Sequence, residues 1–111
     1  MENPRIDGRM QMIAERELEF QPSDGSEPRK VMVRFGPPTL DDDDWRVSIE
    51  IHGLSSEVYR KDAWGVDSAQ AIIEALWIAP VLLKSLAAEA KGKLTFLGND
   101  DLGFYRPPPP M

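Results

Sequence analysis

Four consecutive carboxylates, Asp41-Asp42-Asp43-Asp44, are the residues of this chain whose type and spacing most invite chemistry. Clustered oxygen ligands suit calcium or magnesium. An EF-hand loop, however, needs glycine at its sixth position and glutamate at its twelfth. Counted from Asp41 those places hold Arg46 and His52, and counted from Asp43 they hold Ser48 and Leu54. The motif fails. A solvated acidic turn is the better reading, and whether Asp41–Asp44 binds a metal stays open. Asn99-Asp100-Asp101 is a weaker case of the same kind. His52 is the only histidine. A general base needs a positioned nucleophile. Ser48 is four residues away on the same strand face, roughly 13 Å along an extended chain, and Ser55 and Ser56 match no pattern. With no cysteine in the chain, thiolate catalysis, cysteine zinc sites and disulfides are excluded. Neither a G-x-G-x-x-G fingerprint nor a phosphate-binding loop occurs. No catalytic residue and no cofactor is expected.

Phe35, Trp45, Tyr59 and Trp64 could serve as a stacking platform for single-stranded nucleic acid. Such a platform needs surrounding positive charge, whereas 13 Lys and Arg stand against 19 Asp and Glu, a net charge of −6. Arg29-Lys30 is the nearest approach to a basic run. Core packing is preferred for these rings, and no nucleic-acid partner is expected. An acidic chain could instead dock on a basic protein.

These residues must be carried by one domain, the prior for 111 residues. Residues 1–9 lack periodicity and read as a flexible arm, 10–105 as a single domain, and 106–111, with four successive prolines, as a tail. From Met10 to Phe20 the pattern has period two. Ala14, Leu18 and Phe20 share a face that Arg16 interrupts, with Ile13, Glu15, Glu17 and Glu19 opposite. Lys30–Phe35 alternates in the same way until Gly36-Pro37-Pro38 stops it. Trp45, Val47, Ile49 and Ile51 define the strongest strand. Glu57–Ala63 and Lys93–Leu97 read as shorter ones. The opposed charges of Glu15, Glu17 and Glu19 against Lys30 and Arg34 suit neighbouring strands on a wet sheet face.

Between the last two strands lies a long apolar helix. Asp67 suits its N-cap, and Gln70 completes a capping box. Gly92 suits a left-handed C-terminal cap, with Lys91 before it. Pro80 should bend the helix without dividing it. At about 100° per residue, Ile72, Leu76, Ala79, Leu83, Leu86 and Ala90 form the stripe expected to face the sheet, broadened by Ala75 and Leu82. Trp77, Ile78 and Val81 fall outside it. They are the candidate interface, most simply for a second copy of the chain. The longest uninterrupted apolar run, Ala75 to Leu83, is short for a membrane span, and the first ten residues lack a signal peptide's apolar core.

Three segments, IAERELEF at 13–20, GVDSAQAI at 65–72 and LTFLGNDDLGF at 94–104, together resemble a family of short bacterial domains of unknown function. The resemblance spans about residues 12 to 104. It implies a stand-alone bacterial domain and carries no activity or site residue with it.

The expected fold is therefore α+β in two layers. An antiparallel sheet of four or five strands, in chain order β-β-β-β-α-β, is covered on one face by one long proline-bent helix. The expected function is non-catalytic protein–protein interaction in the cytoplasm. The chain would form a homodimer through its helix and could act as an immunity or antitoxin-like partner of a basic protein. No membrane partner is expected. The alternative is a small-molecule binder or enzyme whose site lies between sheet and helix, using Arg46, His52, Tyr59 and Trp64.

Overall fold

Period-two alternation in the first half of the chain and a single capped helix in the second build the architecture seen in the computed structural model, which describes residues 5–6 and 9–104. The elements in order are β1 (Arg5–Ile6), β2 (Arg9–Met10), β3 (Ala14–Pro22), β4 (Arg29–Phe35), β5 (Thr39–Asp41), β6 (Asp44–His52), β7 (Tyr59–Gly65), α1 (Ser68–Glu89) and β8 (Gly92–Thr95). This is an α+β fold, an antiparallel open sheet with one helix. The segment read as an arm carries a short ladder in which Arg5 faces Met10 and Ile6 faces Arg9. The proline tail and Tyr105 lie outside the described residues.

β6 is the hub of the sheet. β7 pairs along one of its edges, from Trp45 opposite Gly65 to Ile51 opposite Tyr59. Two short strands share the other edge. β4 pairs with its second half, Phe35 opposite Ile49 and Met32 opposite His52. β5 pairs with its first half, Thr39 opposite Arg46 and Asp41 opposite Asp44. The Gly36 N–H still donates to the Ser48 carbonyl at 2.9 Å, but Pro37 and Pro38 have no N–H to give. The line breaks there and resumes as β5. β3 then pairs with β4, and β8 with β3. The sheet is thus six-stranded, one more than the upper sequence expectation, because β5 follows two prolines and is only three residues long.

The acidic run makes a hairpin. Asp41 and Asp44 close the β5–β6 ladder, leaving Asp42-Asp43 as a two-residue loop with Asp42 at φ +62°. A positive φ is what such tight hairpins require, and Asp tolerates it better than most residues.

The predicted apolar face of β6 is buried as expected, with Val47, Ile49 and Ile51 at most 1% exposed. The helix that covers it buries Ala75, Ala79 and Leu83 of the expected stripe and packs Ile72, Leu82, Leu86 and Ala90 partly against the core, but the line of full burial is shifted from the expected one. Its buried residues are Ala71, Ala75, Ala79, Leu83 and Ala87. Ile72 is only partly buried and Leu76 is 37% exposed. The reason is geometric. Contacts at successive i+4 positions drift about 160° around the helix from Ala71 to Ala87. The helix therefore crosses the sheet obliquely, and no fixed stripe of a straight helix describes the contact. Four of the five contact residues are alanine, so backbone and sheet approach closely.

Glycine permits the same closeness at both ends. A Cβ on Gly65 would strike the Ala71 backbone nitrogen, and one on Gly92 would enter the Phe20 ring. Asp67 accepts from the Gln70 N–H at 2.8 Å, while Gln70 Oε1 reaches back to the Val66 N–H at 2.7 Å. At the C-terminus the left-handed residue is Lys91, at φ +63°, rather than Gly92. Gly92 is glycine for space, not for dihedral freedom. The helix runs on through Pro80 as one element, and the missing proline N–H leaves the Leu76 carbonyl without its i+4 donor.

Arg16, the interruption in an apolar face, is absorbed by the C-terminal segment. Its guanidinium lies 4.2 Å from the Phe96 ring centre and 4.9 Å from that of Phe104. It donates to the Leu102 carbonyl at 2.9 Å. Leu102 is 4% exposed, and Phe104 meets Phe35 edge-on at 6.2 Å. The segment that follows β8 thus closes the part of the sheet the helix leaves bare.

Candidate functional site

With one side of α1 committed to the sheet, its far side presents Ile73, Leu76, Trp77 and Val81 to solvent at 48, 37, 55 and 67% exposure. Pro80 and Lys84 complete the surface. Trp77, Pro80, Val81 and Lys84 line a shallow groove of about 510 Å³. A polar outer face is the ordinary arrangement for a helix lying on a sheet. Here it is mainly apolar, with Lys84 and Glu74 at its margins. Of the predicted interface residues, Trp77 and Val81 lie on this face. Ile78 does not, because it is half-buried against the core. Ile73 and Leu76 take its place. The phase count missed them by treating the contact as a straight stripe. By length and hydropathy alone the 22-residue helix would also pass for a membrane span, as the core helices of many soluble proteins do.

The residues proposed for a site between sheet and helix separate by strand parity. Successive strand residues point to opposite faces. Arg46 and His52 share the face opposite the helix with Trp64, which stands across from Arg46. Tyr59 stands across from Ile51 and faces the helix. Tyr59 alone of the four lines the cleft there, a space of about 330 Å³ that also involves Ile51, Leu54 and Leu86.

The open sheet face is tied together by charge. Arg46 Nε contacts Asp41 at 3.2 Å, and Arg46 Nη1 donates to Ser48 Oγ at 3.3 Å. Ser48 Oγ donates to Asp62 at 2.8 Å. A row across the sheet reads Glu15, Arg34, Glu50, Arg60. Glu50 is buried to 3% exposure although it points away from the core. His52 Nε2 lies 2.9 Å from its Oε1, and Arg60 Nε lies 3.0 Å from its Oε2, the latter an ion pair without an aligned hydrogen bond. A desolvated carboxylate is costly unless paired, so this clamp between β6 and β7 is structural. Sequence reading missed it because the register that brings Arg34 and Arg60 beside Glu50 is a tertiary fact.

With Asp41 engaged by Arg46, the acidic turn does not converge. No group of three or more His, Asp or Glu side chains among the described residues is placed to hold a metal ion. The outer helix face can bury apolar surface, and the cleft can enclose a small apolar group. Ser55, which lines the cleft, donates its Oγ hydroxyl to the Glu57 carbonyl at 2.9 Å.

Residues 14–106 match the family described as Domain of unknown function (DUF6968). No curated protein matches the chain, and no solved structure does.

Proposed function

The chain belongs to that family of unknown function, and we propose that it is a non-catalytic protein–protein interaction domain that pairs with a second copy of itself through the outer face of α1. The observation that carries this reading is the apolar face from Ile73 to Val81 on the side of the helix that the sheet does not use. Exposed apolar patches rimmed by polar residues mark interfaces.

The face is also self-complementary. A two-fold pair brings residue i against residue j and j against i. Two antiparallel copies of α1 crossing at the level of Ala79 set Trp77 against the second copy's Val81, two positions either side of the centre. The same crossing sets Glu74 against the second copy's Lys84, five positions either side. Among the described residues neither Glu74 nor Lys84 forms an ion pair within the chain. A cytoplasmic bacterial setting and a basic protein as a further, immunity-type partner belong to the same reading. The net charge of −6 supports the latter.

The test is light scattering at micromolar concentration. Wild type is expected to be a dimer. Trp77→Glu is expected to be a monomer with an unchanged far-ultraviolet spectrum, because it buries a charge at the centre of the pair. Glu74→Lys and Lys84→Glu should each weaken the dimer, and combining them should restore it. A wild-type monomer would overturn the proposal.

A further inference from the structure

The cleft between the C-terminal third of α1 and the β6–β7 connection is chemically one-sided. Its floor is apolar: Ile51 is 1% exposed and Leu54 8%, with Leu86 and the ring of Tyr59 beside them. Its charged lining groups are both acids, Glu57 and Glu89. Among the described residues neither carboxylate has an ion-pair partner. A second source of negative potential is independent of these side chains. The helix C-terminus ends at this cleft, with Ala90 in its lining. Its carbonyl end carries partial negative charge, and no basic residue stands in the last turn to offset it. Lys91 follows the helix but does not line the space.

A volume of about 330 Å³ lies at the small end of ligand sites, which combine apolar walls with a few placed polar groups. An apolar floor beneath a rim whose charged groups, Glu57 and Glu89, are both acids selects a definite chemistry. A neutral apolar molecule would leave the rim unused, and an anion would be repelled by both carboxylates and the helix end. We infer that this cleft binds a small organic amine, with the hydrocarbon body on Ile51, Leu54 and Leu86 and the ammonium group between Glu57 and Glu89. The site is separate from the outer helix face and does not depend on self-association.

The experiment is a nitrogen-15 amide titration of the full chain with three probes of one shape: phenethylamine, the neutral 2-phenylethanol and the anionic 3-phenylpropionate. The amine is expected to give saturable shifts confined to residues 51–59 and 86–91, with a dissociation constant of about 1 mM or tighter. The alcohol should bind about tenfold more weakly, and the anion should give no saturable shift. Glu57→Gln and Glu89→Gln should each weaken the amine about threefold and leave the alcohol unchanged. Trp77→Glu should leave the amine titration as in wild type even where it abolishes the dimer. An amine that does not saturate, an alcohol that binds as tightly, or shifts centred on Trp77 would each overturn the assignment.

Discussion

Replacing Leu83, Leu76 and Ala75 one at a time should reveal which residues of α1 face the sheet, because the structure and a straight-helix stripe rank them differently. Leu83 is 0% exposed. Truncation to alanine removes buried methyl groups and leaves a cavity that the oblique helix cannot close, at about 2–5 kcal/mol. Leu76 is 37% exposed on the open flank. There, water or a side-chain shift fills the gap, and only part of the roughly 1.5–3 kcal/mol for full burial is lost, leaving about 1 kcal/mol. Ala75 is 1% exposed at a point where the helix approaches the sheet on small side chains. Ala75→Leu has no room and should cost about 1–3 kcal/mol by overpacking. A straight stripe makes Leu76 a core position as costly as Leu83. The assay is urea unfolding followed by circular dichroism, in a Trp77→Glu background so that subunit association does not enter the free energy. The midpoints are compared at constant m. Loss at Leu76→Ala equal to that at Leu83→Ala would refute the oblique packing, and a neutral Ala75→Leu would refute the close approach of helix and sheet on small side chains.

Arg16→Ala removes two ring contacts and the bond to the Leu102 carbonyl. It should cost about 2–3 kcal/mol and speed amide exchange at Phe96 and Asn99, whose backbones bond each other; unchanged exchange there would contradict the strapping role. Gly92→Ala drives a methyl group into the Phe20 ring, so a loss of about 1–3 kcal/mol in unfolding free energy is expected, and a neutral result would show that the ring yields. The ionised Asp24 carboxylate accepts from the Ser26 hydroxyl and from the Ser26 N–H, which together hold its pKa below the ordinary carboxylate value. A lowered folded pKa means that the turn is supported above the ordinary carboxylate range and loses that support as pH falls through the lowered value. A carbon-13 titration should place the Asp24 midpoint below 3.8, Ser26→Ala should move it back up, and a wild-type midpoint above 3.8 would contradict the assignment.

The strands were legible because their pattern is local. Trp45, Val47, Ile49 and Ile51 alternate with polar residues, and that face is the one the helix covers. The helix was legible for the same reason, with Asp67 and Gln70 marking its start. Trp77 and Val81 stood out as surplus apolar residues, and both lie on the outer face. Ile78 has the same apolar character in sequence but turns toward the core, while Ile73 and Leu76, which the phase count does not single out as exposed, lie open to solvent. The difference comes from the angle at which helix and sheet cross, which periodicity along one chain does not contain. β5 was missed because three residues after two prolines offer no periodicity at all.

Sequence alone determined the fold class, the order of elements except β1, β2 and β5, both ends of the helix to within a residue or two, and the exclusion of cysteine chemistry and phosphate-loop motifs. Those follow from side-chain type and spacing within short windows. Tertiary structure decided the six-strand order, the alanine contact of the helix, the stacking of Arg16 and the burial of Glu50. It also separated Tyr59 from Arg46, His52 and Trp64. Each of these depends on which distant residues meet, and that is set by strand register and by the crossing angle of two layers.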